Sequence, residues 1–168
     1  GVVVPPDDDL WDAIAEASRE AMAEFSGDPS AIAGVGICPI RCCKAFLRAD
    51  GSLVEPVISW MDDRAYRAYR PDGDDVAYAT TLSGYVAHRF TGRFADTAAN
   101  NIALQWPIDT DTWAWSDDPA LYAQHGVARE ELVDLLMPGD VIGPLTADAA
   151  AATGLPRGIP VVATANDK

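Results

Sequence analysis

Asp167 follows the apolar run Val161-Val162-Ala163-Thr164, which reads as a strand, and in open α/β sheets reactive groups gather where strands end and loops begin. A carboxylate placed there can take a proton from a bound hydroxyl, or it can cap the next helix. The second constellation is Trp60-Met61-Asp62-Asp63-Arg64. An aromatic face, carboxylates and a guanidinium at a strand-to-helix junction suit a polyhydroxylated ligand, and they equally describe an N-capped helix with a local charge cluster. Arg41, on a connection between two short strands, is the third candidate, as a ligand contact or as a solvated surface residue.

Other chemistries find no support. There is no G-x-S-x-G elbow, no G-x-x-x-x-G-K-[ST] loop, no G-x-G-x-x-G after a strand and no H-E-x-x-H. Cys38, Cys42 and Cys43 lack a fourth metal ligand nearby, since His88 and His125 are remote in sequence. Three clustered cysteines do not make a secreted disulfide framework, so a reducing, cytoplasmic setting is expected. Trp106, Trp113 and Trp115 can stack on a sugar or pack a loop-rich excursion.

The elements that must position these residues alternate in period. Leu10, Trp11, Ile14, Ala17, Ala21 and Phe25 keep helical spacing behind Asp7, Asp8 and Asp9, and Gly27-Asp28-Pro29 stops the helix. Residues 32–38, 44–47 and 57–60 read as short strands forming a meander, with a turn at Asp50-Gly51. Helices are expected over 61–69, broken by Pro71-Asp72-Gly73, and over 76–90, where Val76, Ala79, Leu82, Val86 and Phe90 recur at 3.6 spacing. Shorter ones are expected over 97–104, 119–125, 129–135 and 146–153, with a turn at Pro138-Gly139-Asp140 and a final parallel-type strand after Gly154. Strands mixed with longer helices give an α/β class.

Composition bounds the whole. The 168 residues are 49% hydrophobic and 23% charged, which is the globular range. With 12 Lys+Arg against 26 Asp+Glu, the net charge of −14 argues against nucleic acid and anionic membrane as partners. No apolar run reaches the ~18 residues that span a bilayer. An initial Gly1 and a strand just before Lys168 lead us to expect a piece of a longer protein.

Taken in order, these segments resemble the FGGY family of carbohydrate kinases. Gly34-Val35-Gly36-Ile37 is similar to that family's first parallel strand, and Asp50-Gly51 through Trp60-Met61-Asp62-Asp63-Arg64 to its W-x-D-x-R stretch, the most specific piece. Gly84-Tyr85 through Thr91-Gly92 and Asp96-Thr97-Ala98-Ala99 follow in family order, and Gly143-Pro144-Leu145-Thr146 through Asn166-Asp167 completes it. The resemblance implies an α/β ribonuclease H-like (actin-like ATPase superfamily) domain, with a mixed sheet and flanking helices. Residues 1–168 would be an incomplete first domain, without the phosphate-binding hairpin and the nucleotide-binding second domain.

It further implies transfer of the γ-phosphoryl of MgATP to a hydroxyl of a sugar or polyol, with ATP and Mg2+ ligands mostly outside this chain, which is expected to be inactive alone. Asp167 matches the catalytic base. Arg41 and Cys42 match the tandem acceptor-contacting positions, and Trp60, Asp62 and Arg64 line or support the substrate side of the cleft. An Arg-Cys pair matches neither the Arg-Glu pair of glycerol kinases nor the Met-His pair of xylulose kinases. Ala163-Thr164-Ala165-Asn166-Asp167 likewise departs from the family's glycine-rich form. The remainder of the kinase chain is the implied macromolecular partner, a homodimer is among the assemblies the resemblance allows, and the competing class is a non-catalytic sugar-binding or regulatory module on the same fold.

Overall fold

A computed structural model describes residues 9–69 and 75–167; Asp7, Asp8 and the Pro71-Asp72-Gly73 break lie outside the described residues. The first helix, α1 (Asp9–Glu24), buries Trp11 and Ala15 with Leu10 and Ile14 against the main core. Ala17, Ala21 and Phe25 of the expected stripe are exposed instead. The bulk at Leu10 and Trp11 sets which face turns inward, and alanines too small to compete follow outward. Arg19 Nη1 donates to the Ala152 carbonyl at 2.5 Å, tying α1 to a later helix, α5 (Ala147–Thr153).

Strand β1 (Val35–Ile37) does not continue into a meander. It pairs in parallel with the last strand, β9 (Pro160–Ala163), in the register Val35 to Val161 and Ile37 to Ala163, and β9 pairs antiparallel with β8 (Val141–Pro144). The sheet is therefore mixed, as the class requires. Strand β2 (Lys44–Leu47) instead pairs antiparallel with β3 (Tyr78–Thr81), Lys44 opposite Thr81. The expected helix over 76–90 thus divides. Its first part is drawn into the ladder because Tyr78, Thr80 and Thr81 favour extended backbone, and α2 (Leu82–Thr91) begins only after them, ending at Gly92 with φ 73°. Buried over most of its length, α2 packs against β2, β3, β8 and β9.

Residues 57–60 make one bridge, Ile58 with Lys44, rather than a strand, and 61–69 hold only a 3-10 turn, Asp63–Tyr66. In that turn Asp62 accepts from the Arg64 backbone N–H, a local bond that competes with a continuing α-helix. Residues 129–135 likewise give a 3-10 turn, Arg129–Glu131, and then β7 (Asp134–Leu136), which pairs in parallel with β4 (Ala95–Thr97). The short helices α3 (Ala98–Ala103) and α4 (Pro119–His125) occur where expected, and between them Ile108–Asp109 and Ala114–Trp115 form a minimal hairpin, β5 and β6.

One polar knot lies inside. Asp96, 1% exposed, accepts from the hydroxyls of Thr80 at 3.0 Å and Thr81 at 2.7 Å, from the N–H groups of Thr81 and Thr97 at 3.1 and 2.7 Å, from Asn101 Nδ2 at 3.0 Å, and from Ser83. These bonds join β3, β4 and the starts of α2 and α3, and they compensate the burial of a carboxylate.

Candidate functional site

Parallel pairing of β1 and β9 makes both strands end on the same side of the sheet, so the chain leaving each must run next to the other. Two bonds hold the runs together: the Thr164 hydroxyl donates to the Ile37 carbonyl, and the Asp167 N–H donates to the Pro39 carbonyl at 3.2 Å. Gly36 makes room for this, since a Cβ there would stand 3.1 Å from Thr164 Cγ2. Asp167 is thereby delivered beside Ile40, Arg41 and Cys42.

These residues, with Trp60, Tyr66 and Ala103, line a cavity of about 600 Å³, within the range of small-molecule sites. Arg41 is exposed, and none of the ion pairs among the described residues involves it. Cys42 sits at φ 63°, a left-handed conformation rare outside glycine, and its Sγ donates to the Ala103 carbonyl at 3.4 Å. Strain of this kind costs on the order of 1–3 kcal/mol and clusters at functional sites. Beneath it, the Cys43 thiol is pushed up by burial.

Asp62 and Arg64 do not line the cavity. Asp62 is buried and receives Arg64 Nε at 2.9 Å and Nη2 at 2.7 Å, while Arg64 Nη1 reaches Glu55 at 2.9 Å. The Arg64 hydrogen bonds hold Asp62 below the usual carboxylate range. Together they clamp the segment that carries Trp60, whose carbonyl accepts from the Tyr66 hydroxyl at 2.9 Å. Of the six residues singled out in the sequence, Arg41, Cys42, Trp60 and Asp167 share the cavity, and Asp62 and Arg64 fasten its wall. Ile40, Tyr66 and Ala103 went unrecognised; Tyr66 lies only six residues beyond Trp60, but no pattern indicates that the strap folds back on itself.

Among the described residues no three His, Cys, Asp or Glu side chains converge as a metal site, and no helix is long and apolar enough to cross a membrane. The tryptophans at 106 and 115 pack against each other at 6.4 Å, and Trp115 Nε1 donates to the Val133 carbonyl at 2.8 Å. Neither Trp106, Trp113 nor Trp115 lines the cavity.

No protein-family model matches the chain. It is 47% identical over 163 residues to an uncharacterized sugar kinase, YgcE, of Escherichia coli strain K12, a match that covers 97% of this chain and 33% of that protein. Among solved structures, the gluconate kinase from Lactobacillus acidophilus superposes with a TM-score of 0.76 at 16% identity, over 96% of this chain and 39% of that one. The xylulose kinase from Rhodospirillum rubrum does so with a TM-score of 0.75 at 18% identity, over 95% and 40%. The chain spans about a third of its curated relative. It is a homologue of a sugar kinase over that third and has the actin-like ATPase fold of the carbohydrate kinases its motifs resemble.

Proposed function

We propose that the complete protein is an ATP-dependent carbohydrate kinase in which the 600 Å³ cavity receives the acceptor sugar. The observation that carries this reading is the meeting of Asp167 with Arg41, Cys42 and Trp60 around one cavity at the ends of two parallel strands, in a chain homologous to a sugar kinase. Gluconate, xylulose and glycerol kinases are among the structural neighbours, which supports a small sugar, sugar acid or polyol as the acceptor. A reducing cytoplasm suits three thiols that are all unpaired.

In the reaction, an acceptor hydroxyl lies against Asp167. As its oxygen forms the bond to the γ-phosphorus of ATP and the bond to the ADP oxygen breaks, the Asp167 carboxylate takes the hydroxyl proton. Trp60 offers an apolar face to a sugar ring, and Asp62, Arg64 and Tyr66 keep that face in place. MgATP, when bound, would supply the γ-phosphoryl group, with the magnesium ion offsetting its charge. No cluster of His, Cys, Asp or Glu that could hold the metal occurs among the described residues, and the activity belongs to the complete protein rather than to these residues alone.

The test is Asp167→Asn in the complete kinase. Turnover is expected to fall about 10²- to 10⁴-fold with acceptor binding retained, and turnover within about tenfold of wild type overturns the assignment. The Cys42 thiol, which donates to the Ala103 carbonyl and stands in place of a polar acceptor, favours a second reading in which the cavity binds a sugar without chemistry. Ligand-induced thermal stabilisation with no ADP release from wild type would select it.

A further inference from the structure

The lining of the cavity is poor in groups that could satisfy a neutral polyol. Ile40, Ala103 and the Trp60 ring are apolar; the Cys42 Sγ donates to the Ala103 carbonyl and the Tyr66 hydroxyl to the Trp60 carbonyl. The side chains left to meet a ligand with charge are Arg41 and Asp167. Arg41 is the unusual one, because every other arginine around the strap is engaged by a carboxylate. Arg64 takes Asp62 and Glu55, and Arg67 takes Asp63 at 3.5 Å. Arg41 has no such partner among the described residues, Asp167 included, and its neighbour Cys42 brings no charge. A planar guanidinium facing a cavity and lacking a counter-ion is complementary to a carboxylate, which it can hold through two parallel hydrogen bonds.

We propose that the acceptor is a sugar acid, its carboxylate held by Arg41 while one of its hydroxyls faces Asp167. This rests on the kinase reading above and narrows it. The two charges then have separate duties. Arg41 fixes one end of an open-chain or cyclic acid, and Asp167 accepts the proton of the hydroxyl whose oxygen bonds the γ-phosphorus as ADP leaves. The carboxylate also supplies Arg41 with the counter-ion that none of the described residues provides.

The experiment uses the complete kinase with MgATP and matched pairs differing only at the acid carbon: gluconate with glucitol, xylonate with xylitol, glycerate with glycerol. ADP release and thermal shift are read for each. At least one acid is expected to exceed its neutral mate about 10- to 100-fold in kcat/KM. Arg41→Met should bring that ratio close to one and Arg41→Lys restore part of it, with the unliganded melting temperature unchanged because Arg41 is exposed. Neutral members preferred throughout, a ratio that survives Arg41→Met, or no acid acting in either assay overturns the proposal. ADP release with neutral sugars alone would sink the acid preference and leave the kinase reading standing. Arg41-dependent stabilisation by an acid without ADP release from any pair would uphold the acid site and sink the kinase reading instead.

Discussion

Lys44 opens β2 and turns inward, only 2% exposed, with its ammonium donating to the Arg67 carbonyl at 3.1 Å. No carboxylate among the described residues pairs with it, and His125 adds a second base nearby, itself lowered by burial and then by Lys44. Burial brings the Lys44 pKa down from 10.5 to about 8. Between those values the unfolded chain binds the proton and the folded one does not, so unfolding takes up a proton and stability rises with pH. Below pH 8 the folded protein carries the buried cation, a cost on the order of 3 kcal/mol. Lys44→Met should therefore raise the melting temperature at pH 7 and flatten the rise between pH 8 and 10.5 in a thermal denaturation series. An unchanged limb would show that another group titrates there. The His125 pKa should move up in the same variant, measurable by NMR titration.

At the level of elements, α2 and α3 are aimed by the Asp96 knot, and the tightest approach in it is at Gly84. A Cβ there would stand 1.9 Å from Thr80 Oγ1 and 3.0 Å from Asp96. Gly84→Ala is expected to cost about 1–3 kcal/mol by overpacking and by breaking bonds to the carboxylate, seen as a fall in denaturation midpoint. The helices with local signals were legible: α4 has Asp118 as its cap and proline at its start, and α5 runs from the Thr146 cap to Gly154 at φ 77°. Strands β1, β2 and β9 were legible as short apolar runs, whereas β4, β7 and β8 were not, because they are three or four residues long and contain Asp96, Asp134, Gly143 and Pro144, types that read as loop unless the partner strand is known. The site shows the same division. Asp167, Arg41 and Trp60 could be named from motif order, whereas Tyr66 and Ala103 enter the cavity only through the folded strap and the end of α3.

For the molecule as a whole, the sheet, α2 and the two terminal-side helices form a platform, and the cavity is mounted on connections that cross its strand ends. Trp60 is 44% exposed there, while Trp11 and Trp106 are buried in the two cores and Trp113, also exposed, stands on a different excursion. The aromatic wall held by Tyr66 and the Asp62–Arg64 clamp therefore gives the protein an optical signal of its own. A ligand that displaces water from the indole of Trp60 should shift emission to shorter wavelength in a saturable titration of the complete protein. Trp60→Phe should abolish that shift and Trp113→Phe preserve it, so that occupancy can be followed without any nucleotide present.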